Sequence, residues 1–328
     1  MMLTNLNIYF SAACNLHYEY RYMPPHSMPN SDIIKTLRNG VFVQRVNQYI
    51  TEDIISLSIY GMEPAINAEY FEYFMLPILK LHPQIKYINL ATDLFSNHVL
   101  DDMIEPLNRY AAREKHKLIL NLQVNLDGPQ YIHNKHIGRE DAYLHLYDNL
   151  SAIGRAFNFH INKYFRVKVY NKSILTAQDL YTDPDEWWQF MGAIQSDMDA
   201  LETYSFKANF LNPPTLASSN EYTKADGQEL VKWNLKFNTL TCREHACGKT
   251  IDCYGRVWDC PMLYNKDIDE QSIRDDFNIK VEKLLQEGEI IETNKEALWN
   301  AISSIYCWAT GNNRMPESYI KLLGNGAL

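Results

Sequence analysis

Residues 54–60 read Ile-Ile-Ser-Leu-Ser-Ile-Tyr and are followed by Gly61. Aliphatic and aromatic residues that run up to a glycine over so short a stretch are typical of a β-strand. Outward from this segment, similar runs occur at residues 6–10 (LNIYF), 87–91 (YINLA), 118–126 (LILNLQVNL) and 164–170 (YFRVKVY). Helical apolar spacing fills the intervals at residues 32–49, 67–79, 98–113 and 139–157, with Asn67 as the expected cap of the second helix.

This alternation predicts an α/β fold built from parallel βαβ units. About six units fit before residue 240, so we expect a partial (β/α)6 TIM-like barrel with its chemistry on the loops at the carboxyl ends of the strands. The rhythm stops near Thr241, where cysteines begin to cluster. The sequence therefore predicts a barrel domain over residues 1–240 and a small cysteine-containing domain over residues 241–328.

Composition limits the partners and the compartment. The chain has 328 residues, a formal charge of −9 and no run of Lys and Arg, which argues against a nucleic-acid partner. A basic or polar peptide would suit the acidic balance better. Neither a signal segment nor a stretch of about 18 apolar residues is evident, so we expect a cytoplasmic protein with no membrane partner. Its six cysteines are then expected to be thiols or metal ligands.

The loop after the first strand, residues 14–22, reads Cys-Asn-Leu-His-Tyr-Glu-Tyr-Arg-Tyr. It resembles the cluster-binding loop of radical S-adenosylmethionine (radical SAM) proteins, where a cysteine is followed by three residues, a cysteine, two residues and a cysteine. Cys14 matches the first cysteine and Tyr20 the aromatic residue before the last. Tyr18 and Arg21 stand at the second and third cysteine positions.

Three further segments carry the resemblance, in the family's order along the chain. Gly61-Met62-Glu63-Pro64 is similar to its Gly-Gly-Glu-Pro segment. Residues 125–129 (Asn-Leu-Asp-Gly-Pro) resemble a Ser-Leu-Asp-Gly-Pro segment of the peptide-modifying branch, and residues 221–227 resemble a later segment of that branch. The chain is therefore identified as a member of this family with a degenerate cluster loop.

The departures from the family pattern predict the loss of its usual chemistry. The family's [4Fe–4S] cluster needs three thiolates, and it binds and reductively cleaves SAM. Arg21 stays protonated and Tyr18 is a hard phenol, so we expect no cluster at Cys14 and no radical chemistry. We expect Tyr18 and Arg21 to fill the cavity that the cluster would otherwise occupy.

The resemblance also implies a remnant SAM site, at which any binding is expected to be weak. Its residues would be Tyr20, Gly61, Met62, Glu63, Pro64 and Asn125. Met62 replaces a glycine there and would narrow the site.

The C-terminal cysteines resemble the opening of the SPASM or twitch extension that follows such barrels. There, two cysteines, a β-hairpin with a turn glycine, a third cysteine and a distant fourth bind an auxiliary [4Fe–4S] cluster. Cys242, Cys247, Cys260 and Cys307 fit that order, with Gly255 as the turn glycine and Cys253 as a non-ligand on the hairpin. A zinc site with the same ligands and reduced structural thiols are the alternatives.

His133 and His136 have metal-like spacing but are expected to lie in a loop without carboxylate partners. Two classes of function remain. In the first, a non-radical scaffold binds a peptide substrate or an active radical SAM partner in peptide natural-product maturation. In the second, an enzyme uses repurposed chemistry, such as SAM-dependent transfer or another metal-dependent reaction, with Tyr18, Arg21, Glu63 and Asp127 as catalytic candidates. The first is favoured because no complete set of acid, base and nucleophile is evident.

Overall fold

The fold is described from a computed structural model of the chain. The structure describes residues 5–17, 28–159, 162–176, 178–216, 233, 248–258, 270–291, 294–299, 317 and 320–321.

An eight-stranded, mostly parallel sheet forms the centre of the molecule. Six parallel strands follow one another across it in chain order, and each pairs with the next. They are β1 (Asn5–Ser11), β2 (Ser56–Gly61), β3 (Tyr87–Thr92), β4 (Leu118–Val124), β5 (Phe165–Asn171) and β7 (Phe206–Asn209). The five strand predictions between residues 6 and 170 are confirmed, and the α/β class with them.

A hairpin extends the sheet beyond β1. Strand β9 (Lys249–Ile251) runs parallel to β1 through Leu6–Ile8, and β10 (Val257–Trp258) pairs antiparallel with β9. The turn contains Gly255 with φ of 80°, a conformation that favours glycine. A short separate sheet pairs β6 (Ile174–Leu175) with β8 (Thr215–Leu216).

Helices follow the strands along the chain. They are α1 (Asn30–Arg38), α2 (Val41–Asn47), α3 (Phe71–Leu81), α4 (Glu105–Glu114), α5 (Gln130–Ile137), α6 (Ala142–Phe159), α7 (Pro184–Asp199) and α8 (Glu270–Gln286). Alternate strand residues such as Ile59 and Leu90 pack with helix residues such as Phe74 and Leu107 in one hydrophobic cluster. Because side chains alternate along a strand, the intervening residues lie on the other face of the sheet.

Two helix predictions needed correction. The single helix expected over residues 32–49 is two helices, because Gly40 adopts a φ of 72° between α1 and α2. Asn67 does not cap a helix; it lies within a 3-10 segment, Pro64–Tyr70, and its amide donates to the carbonyl of Phe10 at 2.8 Å. Glu63 caps that segment instead, since its carboxylate accepts from the backbone amide of Ala65.

Within the described residues, no helix combines the length and apolar character that crossing a bilayer requires. The structure confirms the α/β class, whereas the partial (β/α)6 barrel stays a prediction. The proposed domain boundary at residue 240 stays a prediction, because residues 217–232 and 234–247 lie outside the described part of the chain.

Candidate functional site

The described part of the Cys14 loop and the Gly61–Pro64 segment come together at the carboxyl edge of the sheet. The amide of Met62 donates to the carbonyl of Ser11 at 2.9 Å, and the amide of Glu63 donates to that of Ala13 at 3.0 Å. Gly61 has a φ of 149°, and a Cβ there would lie 2.1 Å from the carbonyl oxygen of Ser11. The glycine is therefore required by the close contact between two chain segments.

The Cys14 loop continues across this edge towards α5. The amide of His17 donates to the carbonyl of Ile137 at 3.2 Å, and Leu16 is buried beside Ile137. Cys14 is half-buried and packs against the same small cluster as Phe95. Tyr18, Tyr20 and Arg21 lie outside the described residues.

Glu63 is engaged by protein groups. Its side chain is buried, and its carboxylate accepts hydrogen bonds from the amide of Ala65, the hydroxyl of Thr92 and the amide of Asp93, each at 2.8 Å. Pro64 is buried as the first residue of the 3-10 segment, whereas Met62 is half-buried. The carboxylate of Glu63 thus joins the ends of β2 and β3.

A second buried carboxylate, Asp93, lies next to Glu63. One of its oxygens accepts from the amide of Phe95 at 2.9 Å, and the other has no hydrogen-bond partner within the described residues. Burial raises the pKa of Asp93 to about 6. Burial, reinforced by repulsion from Asp93, also raises the pKa of Glu63 well above its usual value. Two neighbouring carboxyl groups that are buried away from water favour retaining a proton.

The segment after β4 places Asp127 in a different network. Asp127 is fully buried, and one carboxylate oxygen accepts from the amide of Ile174 at 2.8 Å. Its carbonyl accepts from the indole of Trp187 at 2.8 Å. Gly128 has a φ of 137°, and a Cβ there would lie 2.4 Å from the same indole. The glycine lets the chain pass close to Trp187, while Asn125 is half-buried at the start of the segment.

The histidines follow on α5, and here the sequence interpretation was wrong. His133 and His136 lie in a helix, and His136 is bound by two carboxylates. Its Nδ1 lies 3.1 Å from Asp127 Oδ2 and its Nε2 lies 2.8 Å from Asp179 Oδ2. Burial alone lowers the pKa of His136, but the hydrogen bonds to both carboxylates outweigh this and raise the pKa to about 9. The ring is therefore a buried imidazolium that joins two loops.

His133 lies one helical turn before His136 in a different electrostatic setting. It is buried, its Nδ1 has no hydrogen-bond partner within the described part of the chain, and burial lowers its pKa to about 4. The two histidines are thus held in opposite protonation states near neutral pH. Sequence reasoning missed Asp93 and Asp179; Asp93 could have been found because it directly follows a strand.

No protein-family model matches the chain. No curated protein shows significant sequence similarity to it. The resemblance to radical SAM proteins therefore rests on the motifs quoted above.

The hairpin is the described part of the cysteine-rich region. Asp252 is buried in its turn and accepts from the amides of Tyr254 and Arg256, the guanidinium of Arg256 and the indole of Trp258. The expected hairpin with Gly255 in its turn is confirmed. It also contacts α2, because the guanidinium of Arg45 donates to the carbonyl of Cys253.

Cys253 belongs to the hydrophobic core. It is fully buried, its Sγ lies 3.5 Å from Met28 Sδ, and burial raises the pKa of its thiol to about 11. This setting disfavours the thiolate that a metal ligand needs. The four cysteines predicted as ligands, Cys242, Cys247, Cys260 and Cys307, lie outside the described residues. Among the described residues, no group of three or more His, Cys, Asp and Glu is arranged to hold a metal ion.

The residues at this edge fit SAM poorly. Glu63 is already bound by three protein donors. Cys14 is the one thiol described at this edge, and a three-thiolate cluster cannot be held by one cysteine.

Proposed function

We propose that the protein is a radical-SAM-like scaffold without the SAM-cleaving cluster, which binds a peptide substrate or an active radical SAM partner during peptide modification. The observation that carries the proposal is the convergence of the Cys14 loop, the Gly61–Pro64 segment and the Asp127 segment at one edge. The contacts are Met62 to Ser11, Glu63 to Ala13 and His17 to Ile137. The resemblance requires these loops to be neighbours, although they are distant in sequence.

The strand order supports the finer fold assignment. Six parallel strands in sequential order are what a partial (β/α)6 barrel would have, and the loops of interest follow its first, second and fourth strands. The barrel and the family assignment remain part of the proposal.

The engagement of the acidic candidates favours binding over repurposed catalysis. Glu63 is held by backbone and hydroxyl donors, and Asp127 by an amide and an imidazolium. A carboxylate held in this way has a structural role, because proton transfer to a ligand would break contacts that link two strands. These groups keep the loops in place and exclude water from the ends of the strands.

The C-terminal region is proposed to hold one auxiliary [4Fe–4S] cluster on Cys242, Cys247, Cys260 and Cys307. The hairpin with Gly255 in its turn and the buried, protonated Cys253 support this ligand choice. Such a cluster would stabilise the C-terminal region and supply an electron-transfer group when bound.

The proposal is tested with anaerobically purified protein. Incubated with SAM and dithionite, it is expected to form no 5′-deoxyadenosine, because one cysteine cannot hold the cleaving cluster. Stoichiometric 5′-deoxyadenosine that disappears in Cys14→Ala would overturn the proposal. Calorimetric titration with SAM is expected to show weak binding or none.

The auxiliary cluster has its own test. Iron and sulfide analysis is expected to give about four irons per chain, and Cys307→Ala should lower that content while Cys253→Ala should not. Zinc in place of iron, no metal, or iron unaffected by Cys307→Ala would contradict the cluster assignment without touching the binding proposal.

A further inference from the structure

The face of the sheet opposite to Ile59 and Leu90, which pack with helix residues, carries a row of polar side chains. The strand registers align Asn7, Ser58, Asn89, Asn121, Lys168 and Lys207 across six neighbouring parallel strands. We call these six residues the polar row.

Five successive hydrogen bonds run in one direction from the row, through Asn5, to Gly248. Asn121 donates to Asn89 at 2.8 Å, Asn89 donates to Ser58 at 3.0 Å, and Ser58 donates to Asn5 at 3.0 Å. Asn5 then donates to Asn7 at 3.1 Å, and Asn7 donates to the carbonyl of Gly248 at 3.2 Å. Head-to-tail hydrogen bonds polarise one another, so such a chain strengthens the unused group at its start.

That group is the side-chain oxygen of Asn121. Within the described residues it accepts no hydrogen bond, and Asn121 is half-buried. The neighbouring position on β5 is Lys168, which is exposed and makes no ion pair in the described part of the chain. Lys207, one strand further on, is already paired with Glu202. Asn121 and Lys168 therefore place an acceptor and a cation at paired positions of β4 and β5.

The charge of this face differs from that of the whole protein. Although the chain has a formal charge of −9, the polar row ends in two lysines, and Arg166 lies on the same face of β5. On the described strands of the large sheet, no Asp or Glu occupies this face. The face thus favours an anionic ligand.

We propose that Asn121 and Lys168 bind the free C-terminal end of a peptide. The oxygen of Asn121 accepts the last peptide N–H, and the ammonium of Lys168 pairs with the terminal carboxylate. The C-terminal end of a peptide supplies both an N–H donor and an anion, a few ångströms apart. A free carboxylic acid lacks the N–H donor, and an internal peptide segment lacks the carboxylate. This proposal rests on the proposed function in its first form, in which the occupant is a peptide substrate.

The test compares two fluorescein-labelled random hexapeptide libraries, one with free C-terminal carboxylates and one with C-terminal amides. Retention by the immobilised full chain is expected to be about tenfold higher for the free acids, as a charge-assisted hydrogen bond predicts. Lys168→Gln should bring the two libraries to equal retention, and Asn121→Ala should lower retention of the free acids. Lys80→Gln, an exposed lysine on α3, is the matched control and should change nothing.

The outcomes separate the two proposals. Equal retention of acids and amides by the unmodified protein, or a free-acid preference that survives Lys168→Gln, overturns this site while leaving peptide binding intact. Retention of neither library above the level of the empty resin overturns this site and the peptide-substrate form of the proposed function.

Discussion

Replacing His136 with Gln tests whether a charged imidazole holds the buried Asp127–His136–Asp179 network together. In the native protein both ring nitrogens face carboxylates, at 3.1 and 2.8 Å, and the ring is fully buried. Removing the cation leaves two buried carboxylates without their shared partner. Breaking a buried pair in this way costs about 3–5 kcal/mol, so we expect the variant to lose that much unfolding free energy at pH 6.

The pH dependence provides a sharper test. The pKa of His136 is raised from 6.5 to about 9, so its charge contributes fully below pH 6.5 and the contribution is lost as the pH rises through 9. A shift of this size corresponds to roughly 3 kcal/mol. Between pH 6 and 10, the native protein should therefore lose roughly 3 kcal/mol more unfolding free energy than His136→Gln.

Urea unfolding of both proteins across this pH range measures the difference. His145→Gln is the matched control, because His145 is half-exposed and its Nε2 lies 3.3 Å from Asp141. That change should cost less than about 1 kcal/mol. Parallel pH profiles for the native protein and His136→Gln would refute the buried imidazolium.

Three further changes test other parts of the site. Asp93→Asn should raise the unfolding free energy at pH 7 by about 1–3 kcal/mol, measured by urea titration, and by less at pH 4. The reason is that the carboxyl of Asp93, whose pKa is raised to about 6 beside Glu63, destabilises the fold once it is ionised. A loss of stability at pH 7 would contradict this. Gly61→Ala should cost more than about 2 kcal/mol by thermal melting, since its Cβ would overlap backbone, whereas Gly192→Ala on α7 has open space and should gain about 0.5–1 kcal/mol; similar effects at both sites would argue against the close contact. Cys253 should resist iodoacetamide at pH 8 in the native protein, because its thiol pKa is about 11, and should react after unfolding in urea. Mass spectrometry measures the labelling, and labelling of the native protein would show that Cys253 is not buried.

The strands could be predicted from sequence because their apolar residues face a packed helical layer. Short runs of residues with high β-propensity, bounded by turn residues, are typical of strands. The break between α1 and α2 was missed, since the apolar spacing continues through Gly40 and only the backbone reveals its positive φ. Pairing of the hairpin with β1 was also missed, because three-residue strands carry too little pattern to specify a distant partner.

The candidate site was predictable in its loops but not in its contacts. Glu63 and Asp127 were identified by the resemblance of their segments to family motifs, yet the partners Asp93 and Ile174 come from 30 and 47 residues away. Asp179 follows a two-residue strand, and nothing in its local sequence marks it as the partner of His136. Residue type and spacing indicate which groups lie at an edge, whereas burial decides whether they face a ligand or one another.

The position of β1 inside the sheet has a consequence for how the protein is made. One side of β1 pairs with β2, about 50 residues later, but the other side waits for β9, which begins at Lys249. At a synthesis rate of roughly 5–20 residues per second, that edge stays open for about ten to fifty seconds on the ribosome. An open edge is a template for pairing with other chains, so the nascent protein is most exposed to aggregation during this interval.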